Sequence, residues 1–366
     1  MIDYNIPTLP LPFELENKEV LKQAMRANRS LAELKGLVHS IPNESILINT
    51  LTLQEAKDSS EVENIVTTQD DLYRFDLKVE KLENSPASKE VFKYREAIQV
   101  GFEEIKKHSL LTNNLIQKIQ ATLVGNTAGF RKVPGTELRN NKQEIIYRPP
   151  QDWLDVERHM TNLERFLNTP NLTDIDPLVR LAIIHHQFES IHPFYDGNGR
   201  TGRIICVLFL VANGLLDLPI LYLSRYITKN KQEYYRLLQN VRDSGGAIVD
   251  WQAWILYMLK GIEETSNHTI LIVSGIKELM YEYKKVLRFE FGKTYKHDLL
   301  NHLFYHPYTK IEHMSEAMHV KRITASKYLN RIVKLGLLTP EKIGRNKYYI
   351  NTKLVNLLVN HQEICS

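Results

Sequence analysis

Residues 204–212 read Ile-Ile-Cys-Val-Leu-Phe-Leu-Val-Ala, nine apolar side chains in a row, and the run stops at Asn213-Gly214. Asn-Gly is a usual end for a helix, so the run predicts a helix that is apolar on every side. Such a helix belongs in the middle of a bundle, walled in by other helices. It is too short to cross a bilayer, which takes about 20 residues. The chain supplies the surrounding helices. Leu111, Leu115, Ile119 and Leu123 recur at four-residue spacing from about Ser109 to Gly125, one face of an amphipathic helix. Further helices are predicted over 152–168, over 177–191 with Asp176 as N-cap and Pro177 at the first position, over 230–243 and over 250–290. The fold class expected is mainly α.

The prolines at 7, 10 and 12 make residues 1–13 an extended arm. A helix follows with Leu21, Ala24, Met25, Leu31 and Leu34 as apolar positions, and a second is predicted to start at Thr52, where Thr52 and Glu55 have the spacing of a capping box. Residues 129–150 (GFRKVPGTELRNNKQEIIYRPP) interrupt the helical pattern with glycines and prolines around Ile145-Ile146-Tyr147 and read as a small β-hairpin. At the C-terminal end, helices over Thr309–Met318 and Ile323–Leu335 precede strands over 337–342 and 347–351 around Gly344-Arg345-Asn346. This order resembles a winged helix-turn-helix.

Charge is unevenly spread. The net charge is +4, but residues 321–347 hold eight Lys or Arg against Glu341 alone. Lys321, Arg322, Ser326, Lys327 and Arg331 would lie on or near the recognition helix and Arg345 at the wing tip, so DNA stays open as a partner of this module. Only two cysteines occur, Cys206 and Cys365, and Cys206 reads as a small core residue. With no export signal or membrane-spanning stretch, the expected setting is the cytoplasm, without a membrane.

The most informative stretch is His192-Pro193-Phe194-Tyr195-Asp196-Gly197-Asn198-Gly199-Arg200-Thr201-Gly202-Arg203. It lies between two predicted helices, so the free N–H groups and positive dipole end of the second converge on the loop, as in an anion site. Gly197 and Gly199 let backbone approach a phosphate, and Arg200 and Arg203 add charged donors. Asp196 is a hard oxygen ligand suited to a Mg²⁺ ion that also takes phosphate oxygens. His192 can accept a proton near neutral pH. A base, a metal ligand and a phosphate cradle together suggest transfer of a phosphorus group to a hydroxyl. The neighbours His185 and His186 point about 100° apart on a helix, which argues against a metal pair.

This stretch resembles the Fic family motif HPFxxGNGRxxR and matches it at every fixed position. The resemblance implies an all-helical Fic core over roughly 109–260 with a β-hairpin flap, a helical N-terminal region over 1–108, a linking helix over 261–290 and the winged module over 291–366. It implies His192 as general base, Asp196 as Mg²⁺ ligand, and Gly197, Asn198, Gly199, Arg200, Thr201, Gly202 and Arg203 around the ATP phosphates. Family members with this loop move AMP from ATP onto a Tyr, Ser or Thr hydroxyl, and pyrophosphate leaves. Tyr234 and Tyr235 fall where relatives place an aromatic near the adenine, and Gln187 is expected to face the nucleotide. The hairpin matches the flap that pairs with the target protein's segment.

Upstream, Ser59-Ser60-Glu61-Val62-Glu63-Asn64 resembles the family's inhibitory motif [S/T]xxxE[G/N]. By this resemblance Ser59, Glu63 and Asn64 form an inhibitory helix in which Glu63 pairs with Arg203 and blocks the γ-phosphate. In some relatives the same glutamate positions a water that removes AMP, so removal by Glu63 stays open, as do self-modification and a homodimer. The competing reading is a DNA-binding regulator whose Fic core senses nucleotide.

Overall fold

The computed structural model describes residues 4–76, 85–140, 142–343 and 346–360. Arg345 and Cys365 lie outside the described residues. The chain is mainly α, with two small antiparallel sheets, and it divides into two compact units. One comprises 1–35, 52–66 and 90–267, and the other 36–51, 67–89 and 268–366. Among the described residues no helix is long and apolar enough to cross a membrane.

The first unit is built around the predicted apolar helix. It runs Asn198–Ala212 (α8), and every side chain from Arg200 to Leu210 is buried. Its walls are α5 (Asn113–Val124) and α7 (Pro177–Ile191), with α6 (Trp153–Asn168) behind α7. The expected termini hold for α7, where the Asp176 carboxylate accepts from the Leu178 amide at 2.8 Å. The helix predicted from Ser109 starts later, at Asn113. Thr112 is its cap, accepting from the Leu115 amide at 3.2 Å. Gly125 closes it with φ 77°. A separate helix, α4 (Pro86–His108), fills the stretch before it. On α4, Gly101 lets Leu208 of α8 come close: a Cβ there would stand 2.3 Å from Leu208 Cδ1.

The N-terminal arm is followed by α1 (Lys18–Val38) and α2 (Glu44–Val62). The capping box expected at Thr52 and Glu55 is absent, because α2 already began at Asn43, whose side-chain oxygen accepts from the Ser45 amide at 3.1 Å. Thr52 and Glu55 sit in mid-helix, each 2 % exposed. The Glu55 carboxylate faces the core, accepting from Tyr94 at 3.0 Å and from the amide and hydroxyl of Ser224. Burial pushes its carboxyl up to about 8 despite these bonds. The helices not foreseen include α3 (Gln69–Asp76) and α9 (Leu223–Lys229). The latter precedes the expected α10 (Lys231–Asp243). The long helix predicted over 250–290 is continuous as α11 (Ile248–Phe291).

In the second unit, α12 (His297–Tyr305) leads to β3 (Tyr308–Thr309), α13 (Ile311–Met318), α14 (Arg322–Lys334), β4 (Thr339–Ile343), β5 (Asn346–Ile350) and α15 (Thr352–Asn360). The strands form one antiparallel sheet in the order β3-β5-β4, with Tyr308 and Thr339 both opposite Ile350. Thr309, expected to open a helix, is instead strand, and its hydroxyl is 2.7 Å from His302 Nε2. Two of the basic side chains on α14 are paired. Arg322 meets Glu312 at 2.8 Å, and Arg331 meets Glu290.

Leu208 carries the test of the bundle. It is fully buried in the central helix, so Leu208→Ala should lower unfolding free energy by about 2–5 kcal/mol in a urea titration. A loss under about 1 kcal/mol would mean that α8 is not the centre of the core.

Candidate active site

The loop between α7 and α8 starts where His192 turns left-handed (φ 48°, ψ 59°) and caps α7 through its amide on the Phe188 carbonyl. Left-handed backbone is unfavourable for a residue with a Cβ and needs outside support. Buried Arg131 gives it: its side chain donates to the His192 carbonyl at 2.8 Å and to the Pro150 carbonyl, and its amide donates to the Pro193 carbonyl at 2.8 Å. Asn198 then locks the turn. Its side-chain oxygen accepts from the Phe194 amide and its NH₂ donates to the Phe194 carbonyl, both at 2.8 Å. The Asn198 side chain thereby holds the loop's own backbone.

Gly197 opens α8 at φ 77° without a side-chain cap, which leaves first-turn N–H groups to whatever fills the loop. Asp196 lies at the lip with its carboxylate 73 % exposed. One of its oxygens accepts from the Gly197 amide at 2.6 Å. His192 is half-buried, and its Nδ1 is enclosed without a well-formed hydrogen bond. Burial, then the charges of Arg242 and Arg131, bring its imidazole down to about 3. The ring is neutral at neutral pH, the state in which an imidazole accepts a proton.

Arg203 emerges from α8 with 1 % of its side chain exposed and meets α2. Nε donates to the Ser59 hydroxyl at 2.8 Å, and Nη2 donates to the Ser59 carbonyl and the Glu63 carboxylate, each at 2.9 Å. Ser59 and Glu63 are four residues apart and so share a helix face. Burial opposes an ionised Glu63, but the Arg203 guanidinium, with Arg200 and Lys231, more than offsets it and holds the carboxyl below its usual range. The carboxylate also covers the loop: a Cβ built on Gly199 would lie 2.4 Å from Glu63 Oε1. Asn64 stands outside this clasp in a left-handed turn (φ 63°) and accepts from Lys231 at 2.8 Å.

Four of the residues expected around the nucleotide sit in the core. Gln187 is fully buried against the N-terminal arm, donating to the Pro7 carbonyl at 2.7 Å. Thr201 is fully buried within α8, and Gly202 is where α8 packs on Phe188 and Glu189 of α7. Tyr234 is 2 % exposed, its hydroxyl 2.8 Å from His185 Nε2. Tyr235, by contrast, is exposed. His185 and His186 are core residues stacked among Trp251, Trp254 and Tyr234. Cys206 is buried beside His185.

The hairpin exists but is short, with β1 (Leu138–Arg139) antiparallel to β2 (Ile145–Tyr147). It is moored to the loop. The Tyr147 hydroxyl donates to the Ser190 carbonyl at 2.8 Å, and the Tyr195 hydroxyl accepts from the Lys132 and Val133 amides at 2.9 and 3.1 Å.

Several side chains around the loop gave no separate signal in the sequence. Arg131 is one, since nothing marks it among the flap residues. Glu90 of α4 is another, accepting from Arg200 at 2.6 Å. Glu189 is a third, an acid three residues before His192 in a helix whose other side chains include Gln187 and Ser190. Its carboxylate is buried with Oε1 unpartnered. Burial lifts it to about 7, opposed by Arg203.

The model of the Fic/DOC family matches residues 110–210, and that of the Fic/DOC family N-terminal region matches 21–103. The chain belongs to the Fic/DOC family. A third model, the C-terminal domain of protein adenylyltransferase SoFic-like proteins, matches residues 279–354 of this Fic protein. Curated relatives include the protein adenylyltransferase Fic of Drosophila erecta and of Drosophila melanogaster, each 29% identical over 133 residues. That alignment spans 34% of this chain and only 26% of the relatives' length. Among solved structures, a Fic family protein from Desulfovibrio desulfuricans aligns at TM-score 0.58 and 18% identity, covering 93% of this chain and 97% of that one. A Fic domain containing signaling protein from Bacteroides thetaiotaomicron aligns at 0.53 and 20%, covering 70% and 97%. At these identities the likeness concerns the fold.

The raised Glu189 carboxyl has a consequence for stability. Folded Glu189 keeps its proton up to about pH 7 while the unfolded group loses it near 4.5, so stability drops as pH rises between those values. Glu189→Gln removes this penalty, which corresponds to about 3 kcal/mol at most. Chemical denaturation at pH 4.5 and pH 8 should find the variant's advantage larger at pH 8. An advantage that shrinks as pH rises would contradict this.

Proposed function

We propose that this Fic protein transfers AMP from ATP to a Tyr, Ser or Thr hydroxyl of a target protein and is restrained by Glu63. The observation that carries the restraint is the Arg203–Glu63 pair, closed at 2.9 Å directly over Gly199. The family membership and the adenylyltransferase names of its relatives support the reaction.

In this reading the first-turn amides of α8, with Arg200 and Arg203, hold the triphosphate, and Tyr235 flanks the adenine. The target's hydroxyl-bearing segment lies along the flap hairpin. His192 takes the proton of that hydroxyl. The oxygen bonds to the α-phosphorus, the bond from that phosphorus to the bridging oxygen of the β-phosphate breaks, and pyrophosphate departs. An imidazole at about 3 is a poor base, but the negative charge of a bound triphosphate raises it towards a useful value. Asp196, an exposed carboxylate at the lip of the loop, suits a Mg²⁺ ion whose other ligands are phosphate oxygens and water. When bound, that ion neutralises charge on the phosphates.

Glu63 opposes the reaction because Arg203 cannot meet a γ-phosphate fully while it donates to Ser59 and Glu63. Rearranging the clasp moves a carboxylate away from a buried cation, an exchange that a phosphate in the same place compensates.

Incubation of the full chain with labelled ATP and Mg²⁺ tests this. Glu63→Gly should label itself or a partner at least about tenfold more than the parent. His192→Ala in that background should lose about 100- to 10,000-fold. Equal labelling of parent and Glu63→Gly would remove the restraint, and label from UTP, GTP or CTP in preference to ATP would replace the donor. Mass spectrometry of the product gives the group transferred and the residue bearing it.

A further inference from the structure

We propose that Glu90 is a positioning residue for Arg200, holding its guanidinium in the phosphate cradle and off Asp196. This rests on the AMP-transfer reading above. Arg200 is 8 % exposed and has two anionic neighbours, Glu90 Oε2 at 2.6 Å from Nη1 and Asp196 Oδ1 at 3.7 Å from Nη2. The first is a short, charge-assisted hydrogen bond. The second is too long to be one.

A guanidinium has five donors, so the bond to Glu90 leaves others for a ligand while fixing the side chain. Without Glu90, the acid left within ion-pairing distance of the buried cation is Asp196, whose mostly exposed side chain need move only slightly from the Gly197 amide to close on it, and Glu63 acts on Arg200 only at longer range. The collapsed pair would cost the site twice, because Arg200 would leave the phosphates and Asp196 would be neutralised as a metal ligand. Glu90 and Glu63 therefore act in opposite senses, although both come from the part of the chain ahead of the catalytic core. Glu63 ties Arg203 to α2 across the mouth of the loop, its carboxylate over Gly199. Glu90 ties Arg200 at its back to α4, and nothing built on Gly197 or Gly199 would touch it.

The test uses the full chain in the Glu63→Gly background, with two readouts. One is calorimetric binding of α,β-methylene-ATP with Mg²⁺, and the other is the ATP dependence of AMP transfer. Glu90→Ala should raise both Kd and the KM for ATP by about ten- to a hundredfold, as loss of an outer-shell partner does, with kcat less affected. It should also raise the Mg²⁺ concentration needed for half-maximal binding. Glu90→Asp should recover part of the loss, which a general packing defect would not allow. Glu90→Ala added to Arg200→Ala should cost nothing further.

Unchanged affinity, or losses that add fully to those of Arg200→Ala, overturn the proposal. Tighter binding or faster transfer by Glu90→Ala also overturns it and makes Glu90 a second restraint. If Glu63→Gly binds the analogue but transfers no AMP, the transfer reading fails while the binding data still decide for or against Glu90.

Discussion

A guanidinium sealed inside a helical bundle is the constraint on which this site depends. Arg203 projects from a helix buried in the core, where an unpaired charge would cost several kcal/mol. α2 removes that cost with three acceptors, the hydroxyl and carbonyl of Ser59 and the carboxylate of Glu63. The pairing also fixes what the loop can do. The carboxylate that neutralises Arg203 lies over Gly199, where backbone is open to a ligand. The contact that neutralises the buried cation is thus also the one that covers the proposed phosphate cradle.

The loop itself is held from outside. His192 keeps its left-handed backbone because Arg131 gathers the carbonyls around it, and Asn198 closes the turn on both main-chain groups of Phe194. Rigid backbone of this kind presents N–H groups without reorganisation when charge arrives. The flap shares these moorings through Tyr147 and Tyr195, so the proposed target-binding edge and the proposed base are positioned by one network. The two arginines of the motif are each tied to the N-terminal part of the chain, Arg203 to α2 and Arg200 to α4. That region is accordingly a structural component of the site as well as its proposed restraint.

Reading from residues to structure worked where the signal is local. The apolar run of α8, the Asp176-Pro177 start of α7 and the four-residue spacing of α5 were legible because burial and capping act over a few residues. The capping box at Thr52 misled for the same reason. The Thr and Glu spacing is right for a cap, but the Glu55 carboxylate is satisfied by Tyr94 and Ser224, far away in sequence. Gln187, Thr201, Gly202 and Tyr234 were expected around the nucleotide from the family resemblance, and in the fold all four lie buried among the helices.

The sequence by itself determined that the protein is helical, and it singled out residues 192–203 as the candidate site and an acid four residues after a serine in the N-terminal region as the candidate counter-ion. The first two follow from residue type and short spacing, and the third from the resemblance to the family's inhibitory motif. Only the tertiary structure decided which side chains line the loop and which support it. It alone brought Arg131 to the His192 carbonyl, Glu90 to Arg200, and Glu189 into a buried position beside α8. These are contacts between elements, set by how helices pack, and no pattern within a single helix encodes them.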